Sequence, residues 1–349
     1  MSTASLARNT PEVASQNKHH SNQKAGRVVG NIVVYLILIV MSVTWLLPVV
    51  WLFLQSLSGD SGVKSLNKFW PSTWTFDNYV YLFTNKVLPL GKRTPTDSLY
   101  NFFGRITVAN DPSGLPAGRF LLGAFLYTLI IAILVAILST FLCLAASYAF
   151  SRLRFKGRTG MMKTILVLGM FPGFLGLIVL YALFKMIGWV GNSDPLSASP
   201  MWALVLIYAG GAGMGYYISK GFFDTISKQI DEAAMVDGAS RWQIFYKITL
   251  PLAKPIVVYT VLTSFMGPWA EYITASYMFP GGATNFTYGN PMTVAVLLND
   301  MLDTLSNHRS LYWKEFCAGA ILVAVPTSLL FIALQKNYVS GVTGGAVKG

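Results

Sequence analysis

Six stretches of this chain run without charge far enough, or nearly far enough, to cross a bilayer. Arg27 and Asp60 bracket the first, Arg119 and Arg152 the second, and Lys163 and Lys185 the third. Asp194 and Lys220 bracket the fourth, Lys254 and Glu271 open the fifth, and Glu315 and Lys336 bracket the sixth. A helix needs roughly 20 apolar residues to cross the hydrocarbon core. Lipid offers no partner for open backbone groups, so these runs are predicted as helices rather than sheet. The expected fold class is therefore all-α, a polytopic membrane protein with six transmembrane helices. The first run is too long for the apolar part of a cleavable signal and no small-residue cleavage site follows it, so it is expected to stay as a span.

Composition agrees with the pattern. Charged residues make up 11% of the 349 and the hydrophobic set 54%, whereas soluble domains carry roughly 25% charged residues. The net charge of +12 does not point to nucleic acid, because the basic residues lie in short segments between apolar runs instead of on one soluble face. Their distribution sets orientation. The N-terminal tail, the segments Arg152 to Lys163 and Lys220 to Lys254, and the tail after Lys336 hold most of the 26 Lys and Arg residues but few acids. These segments, both termini included, are expected on the cytoplasmic side.

The resulting layout has a cytoplasmic tail over 1–27, a first span over 28–57, an extracytoplasmic loop over 58–119, a five-span core over 120–335 and a cytoplasmic tail over 336–349. Within the core, 220–254 is a cytoplasmic loop and 280–311 an extracytoplasmic one. Loop 58–119 is rich in Trp, Phe, Tyr, Pro and Gly, and the two outer loops read either as a compact cap or as a docking surface for a solute receptor.

Catalytic chemistry is poorly represented. The chain has three His and two Cys, with no ligand spacing for a metal and no Ser-His-Asp set that the topology would gather. His19-His20 lie in a polar tail and read as solvated. Cys143 and Cys317 fall near opposite faces and read as small apolar packers. The glycine cluster from Gly210 to Gly215 lacks the strand and the Lys-Ser/Thr of a phosphate loop; inside the fourth span it lets helices pack closely.

The segment 220–254 is different. Asp231, Glu232 and Asp237 are expected near the starts of short helices, where negative charge suits the helix dipole. Ala233 and Ala234 favour helix and are small enough for a partner to approach the backbone. Gly238 permits a turn, and Trp242, Ile244, Phe245 and Ile248 then form an apolar face at helical spacing. Pro251 and Pro255 end the segment and open the next span. Read blandly, this is an amphipathic helix lying on lipid headgroups.

In order, the residues are Glu232-Ala233-Ala234, a three-residue gap, Gly238-Ala239, then Phe245, Ile248 and Leu250-Pro251. They resemble the Glu-Ala-Ala (EAA) loop of ATP-binding-cassette (ABC) importer permeases. Tyr148-Ala149-Phe150-Ser151-Arg152-Leu153-Arg154-Phe155 with Gly157 is similar to a turn of sugar-importer permeases. Met170-Phe171-Pro172 and Leu180-Tyr181-Ala182-Leu183-Phe184 look like that family's third span. The ending from Val339 to Gly349 is similar to the tail of the smaller permease subunit of maltose/maltodextrin importers, the MalG-like family.

That resemblance implies a type I importer permease fold and a transport subunit, not an enzyme. Its cargo would be maltose/maltodextrin-type oligosaccharides. The loop would be a coupling helix seated in a cleft of an ATPase, with Glu232, Ala233, Ala234, Asp237, Gly238, Ala239, Phe245 and Pro251 as coupling residues. Gly341, Thr343, Gly344, Gly345 and Lys348 would belong to a tail reaching the ATPases; the composition alone would equally suit a frayed end. Implied partners are a second homologous permease, two ATP-binding subunits that hold ATP and Mg, an extracytoplasmic solute-binding protein and membrane lipid, in a bacterial plasma membrane. The family's Trp-Asn pair is altered here to Trp269-Ala270, followed by Glu271 and Tyr272, so Trp269, Glu271 and Tyr272 are candidate path or gate residues without the family's Asn. For Glu271, the structural alternative to a gate is a carboxylate near the span's outer end, snorkelling or bonded to backbone freed by Pro268. The rival functions are a permease for another oligosaccharide and an ATPase-independent secondary transporter, which would usually show internal repeats.

Overall fold

The computed structural model describes residues 11–60, 68–83, 98–100, 104–107, 120–170, 173–190, 199–211, 213–278, 292–302 and 308–346. The chain divides into two units, residues 1–54 and 55–349. The first holds most of helix α1 (Pro11–Ser56). This helix begins well before the expected span, so the part of the N-terminal tail from Pro11 onward is helical in backbone. Its described side chains between Ile32 and Val50 are almost all large, apolar and exposed.

The second unit is helical, with one small sheet. After α1 the chain is pinned locally: the Asn78 amide donates to the carbonyls of Ser56 and Ser58, at 2.9 Å each, and Asp60 accepts from the Ser72 amide at 2.9 Å. Asn78 lies in the first turn of the short helix α2 (Asp77–Phe83). Three short strands follow, β1 (Ser98–Tyr100), β2 (Gly104–Thr107) and β3 (Phe120–Leu122), paired antiparallel in that order. β1 and β2 lie in the aromatic-rich loop and β3 just past its end, at the start of the expected core, where the hydropathy pattern gives no alternation long enough to announce strands.

Helix α3 (Ala124–Arg152) is the axis of the unit. It contains neither Pro nor Gly, so nothing interrupts its backbone ladder. It packs against α6 (Ser199–Gly210), α7 (Gly213–Thr225) and α10 (Lys254–Ala270), and α10 packs in turn on α13 (His308–Ala346). Between α3 and α6 lie α4 (Arg158–Gly169) and α5 (Gly173–Met186). The turn into α4 uses Gly157 at φ +85°, a left-handed conformation natural to glycine. The cytoplasmic-loop segment forms α8 (Lys228–Val236) and α9 (Arg241–Leu252). Beyond α10 come α11 (Ile273–Met278) and α12 (Val294–Met301).

Among the described residues, Gly30–Ser56, Ala124–Arg152 and Tyr312–Lys336 are long and apolar enough to cross a membrane as single helices. Counting α6 with α7, and α9 with α10, as broken spans raises the number to five. The third predicted run corresponds to two shorter helices, α4 and α5. The fourth is also two helices, and the glycine cluster marks their break; a Cβ on Gly211 would sit 3.2 Å from the Ile207 carbonyl. Phe171 and Pro172 lie outside the described residues. The main core is built from Ile131, Val135, Leu204, Phe265, Trp269, Leu297 and their neighbours. A second, smaller core of Leu144, Tyr148, Phe223, Phe245, Ala253 and Ile256 underlies the loop segment. Cys143 and Cys317 are both buried free thiols.

Candidate coupling site

Local sequence explains how the loop folds. Ser227 caps α8 by accepting from the Gln229 amide at 3.3 Å, and Asp231 lies in the first turn, where the dipole favours its charge. Three residues apart on one helical face, Asp231 and Ala234 turn inward and are buried. Glu232, Ala233, Met235 and Val236 turn outward, and Val236 is 88% exposed. The helix closes at Gly238, φ +83°, with the Ala239 amide bonded back to the Ala234 carbonyl at 2.9 Å. A Cβ on Gly238 would meet nothing within 4 Å, so backbone conformation, not space, requires glycine there. Asp237 stands at the C-terminal end of α8 rather than at a helix start; the dipole expectation fails for it because the turn comes one residue later, at Gly238.

Helix α9 opens with a reciprocal cap. The Gln243 amide donates to Ser240 Oγ at 3.3 Å, and the Ser240 amide to Gln243 Oε1 at 2.8 Å. The predicted apolar face then splits. Ile244 and Phe245 are buried, with the Phe245 ring 4.8 Å from that of Tyr148, whereas Trp242 is 57% exposed and Tyr246 is exposed beside it. Residues Ile244–Thr249 form a π-helical turn in which the Leu250 amide reaches Phe245. Pro251 has no N–H and its ring crowds the carbonyl four residues back, which the wider turn relieves. Ala253, fully buried, forms the corner, and α10 departs at 84° to α9.

A polar clamp ties this loop to the end of α3. Ser151 Oγ donates to Asp224 at 2.6 Å, and Lys220 pairs with the other oxygen of that carboxylate. Arg152 Nη2 donates to the carbonyls of Phe223 (3.0 Å) and Ile226 (2.8 Å), and its Nε lies 3.2 Å from Asp231 Oδ2. The two side chains are only 4% and 11% exposed. Losing one member of such a pair strands the other charge at a cost of about 3–5 kcal/mol. In the sequence Arg152 is the boundary of a charge-free run and part of the Tyr148–Phe155 turn; its pairing with Asp231, far along the chain, has no local signal.

At the other end of α3, Trp269 is buried, packed edge-on to Phe125 (5.3 Å) and beside Phe265 (6.0 Å). Its ring is part of the core in this structure. Glu271 is half-buried and accepts from the Tyr208 hydroxyl at 2.8 Å and from the amides of Thr274 (3.0 Å) and Ala275 (3.3 Å). The carboxylate thus caps α11 and ties α6 to the end of α10, bonding amides of α11 instead of backbone freed by Pro268. Tyr272 is half-buried against the main core. Coupling and path candidates therefore form two separate groups. In the tail, Gly341, Thr343, Gly344 and Gly345 are helical in backbone through Ala346, and Lys348 lies outside the described residues. Among the described residues, no group of three or more His, Cys, Asp or Glu could hold a metal ion.

Residues 142–344, which include the clamp, the loop and α10, match the family described as binding-protein-dependent transport system inner membrane component. The maltodextrin transport system permease protein MdxG of Bacillus subtilis (strain 168) is 31% identical over 332 residues, covering 94% of this chain and all of that protein. The chain belongs to this transport family. It is a multi-pass plasma-membrane permease subunit of an ABC importer, in which separate ATPase subunits hydrolyse ATP. A second relative, the galactooligosaccharides permease GanQ of the same organism, is 37% identical over 58% of this permease and 66% of its own length. A crystal structure of a bacterial ABC transporter for alginate import shares the fold at TM-score 0.62 and 20% identity, covering 90% of this permease and 97% of that chain.

Proposed function

We propose that this permease forms half of the translocation pathway of an oligosaccharide importer whose cargo is of the maltose/maltodextrin type. The observation that carries the cargo is the end-to-end match with a maltodextrin permease. In this reading, α8 and the start of α9 are the coupling segment. Glu232, Ala233, Asp237 and Gly238 face outward, beside exposed Met235, Val236, Trp242 and Tyr246. An acid set among exposed apolar groups suits a partner groove with a basic residue, and a contact of that kind is costly to break from one side. Ala234 and Phe245 support the segment from within, Pro251 ends it, and Ala239 closes α8.

Both termini and the loop 220–254 are cytoplasmic in this reading. Segments 58–119 and 280–311 face the solute-binding protein, 28–57 is the first span, and 120–335 is the core. A second homologous permease completes the pathway, and two ATPases bind ATP and Mg. Trp269, Glu271 and Tyr272 shape its outer end, and Gly341, Thr343, Gly344, Gly345 and Lys348 extend toward the ATPases.

The test is ATPase activity of the reconstituted complex with binding protein and candidate sugars, for wild type and Glu232→Lys. Maltodextrin stimulation that disappears in the variant supports both coupling and cargo. Stimulation by galactooligosaccharides alone keeps the machine and changes the cargo. Wild-type permease that associates with no ATPase sinks the reading in favour of a secondary transporter.

A further inference from the structure

We propose that Arg152 and Asp231 are the joint through which movement of α8 reaches α3, making them positioning residues for coupling. The proposal rests on the coupling role given to α8 above. Three observations carry it.

First, Arg152 holds three points at once: the Phe223 carbonyl at the end of α7, the Ile226 carbonyl in the α7–α8 turn, and the Asp231 carboxylate on the inner face of α8. Its neighbour Ser151 adds a fourth hold on Asp224. No partner in a groove can displace α8 without acting on the end of α3.

Second, α3 is built to carry such a displacement. Alone among the candidate spans in the described residues it contains neither Pro nor Gly. Its 29 residues span about 43 Å. At its far end Phe125 touches Trp269, and Thr128 Oγ accepts from the Val294 amide at 2.8 Å. One unbroken helix therefore links the buried ion pair to the outer-end residues.

Third, the ion pair is incompletely satisfied. The Nε–Oδ2 contact lacks the alignment of a hydrogen bond, and buried Arg152 Nη1 and Asp231 Oδ1 have no hydrogen-bond partner among the described residues. Buried charged groups favour full pairing. In this proposal a shift of α8 against α3 takes the pair to a second, better-paired arrangement, and the ATPase cycle biases the two. Coupling between distant sites requires an element with discrete arrangements of this kind.

The experiment uses the complete reconstituted complex with binding protein and maltodextrin, carrying Asp231→Asn, Arg152→Lys, or both. Two quantities are read: ATPase subunit retained per permease, and the ratio of sugar-stimulated to unstimulated hydrolysis. Expected is retained assembly with a ratio lowered about fivefold or more in each single variant. The double variant is expected to be no worse than the more affected single, because the ion pair that Asp231→Asn removes is already disrupted by Arg152→Lys. A purely structural role moves retention, not the ratio. An unchanged ratio in assembled single variants overturns the proposal, as do single effects that multiply in the double. Failure of both singles to assemble assigns the pair to folding and likewise overturns it. A wild-type permease that retains no ATPase defeats the coupling reading itself, a distinct failure that takes this proposal with it.

Discussion

The Tyr208 hydroxyl donates to Glu271 Oε2 at 2.8 Å, and the same carboxylate accepts the first free amides of α11. One acid thereby fastens α6, α10 and α11 together where α10 ends. Glu271→Gln keeps a carbonyl oxygen able to accept these bonds, whereas Glu271→Ala removes the cap and strands the Tyr208 hydroxyl. The alanine variant is expected to lose about 1–3 kcal/mol and the glutamine variant much less. Thermal unfolding of the purified complex reads the difference. Equal loss of uptake in both, with stability unchanged, would instead make the negative charge itself part of the path.

Gly238 separates backbone from partner effects. An L-residue in its left-handed conformation costs about 1–2 kcal/mol, and no atom of the described residues lies within 4 Å of its missing Cβ. Gly238→Ala and Gly238→Trp are thus expected to destabilise the permease alike. If the surface of α8 is gripped by an ATPase, only the tryptophan abolishes ATPase retention, as measured by co-purification. Equal retention by both variants would leave the surface at Gly238 unoccupied.

Phe245 and Trp242 lie three residues apart with opposite exposures. Phe245→Ala empties a site between Tyr148 and Trp242 and is expected to cost about 3–5 kcal/mol. Trp242→Ala, on the surface, is expected to change stability by less than about 0.5 kcal/mol while weakening ATPase retention. Chemical denaturation and co-purification, run on both variants, check the contrast.

Deleting residues 341–349 removes the end of a helix that runs on to Ala346. The expected outcome is an intact, membrane-inserted permease with reduced ATPase retention. Retention and uptake equal to wild type would make the tail dispensable.

How legible all this was in the sequence depends on the range of the physics involved. The turn at Gly238 and the corner near Pro251 were readable because both rest on backbone chemistry confined to one or two residues. The existence of apolar spans was readable because lipid imposes it on composition. The burial of Asp231 was not readable, since its partner Arg152 is 79 positions away in sequence and only packing of α3 against the loop brings them together. Likewise the apolar face of α9 was visible, but its division into buried Phe245 and exposed Trp242 depends on where Tyr148 stands. Glu271 reads from sequence as a path or gate candidate; Tyr208 and the start of α11, which satisfy its carboxylate, belong to elements whose approach no local pattern encodes. The helices of the third and fourth runs were counted as single spans because charge spacing is blind to breaks inside apolar sequence.

The corner at Ala253 sets how the loop can act. With α9 and α10 meeting at 84°, a push along α9 has almost no component along α10. Two arms joined at a right angle behave as a bell crank: they pass on torque, and thrust is lost. An ATPase that tugs on the short arm would therefore tilt the long one about Ala253 instead of sliding it through the bilayer, so the permease would change its opening by leaning.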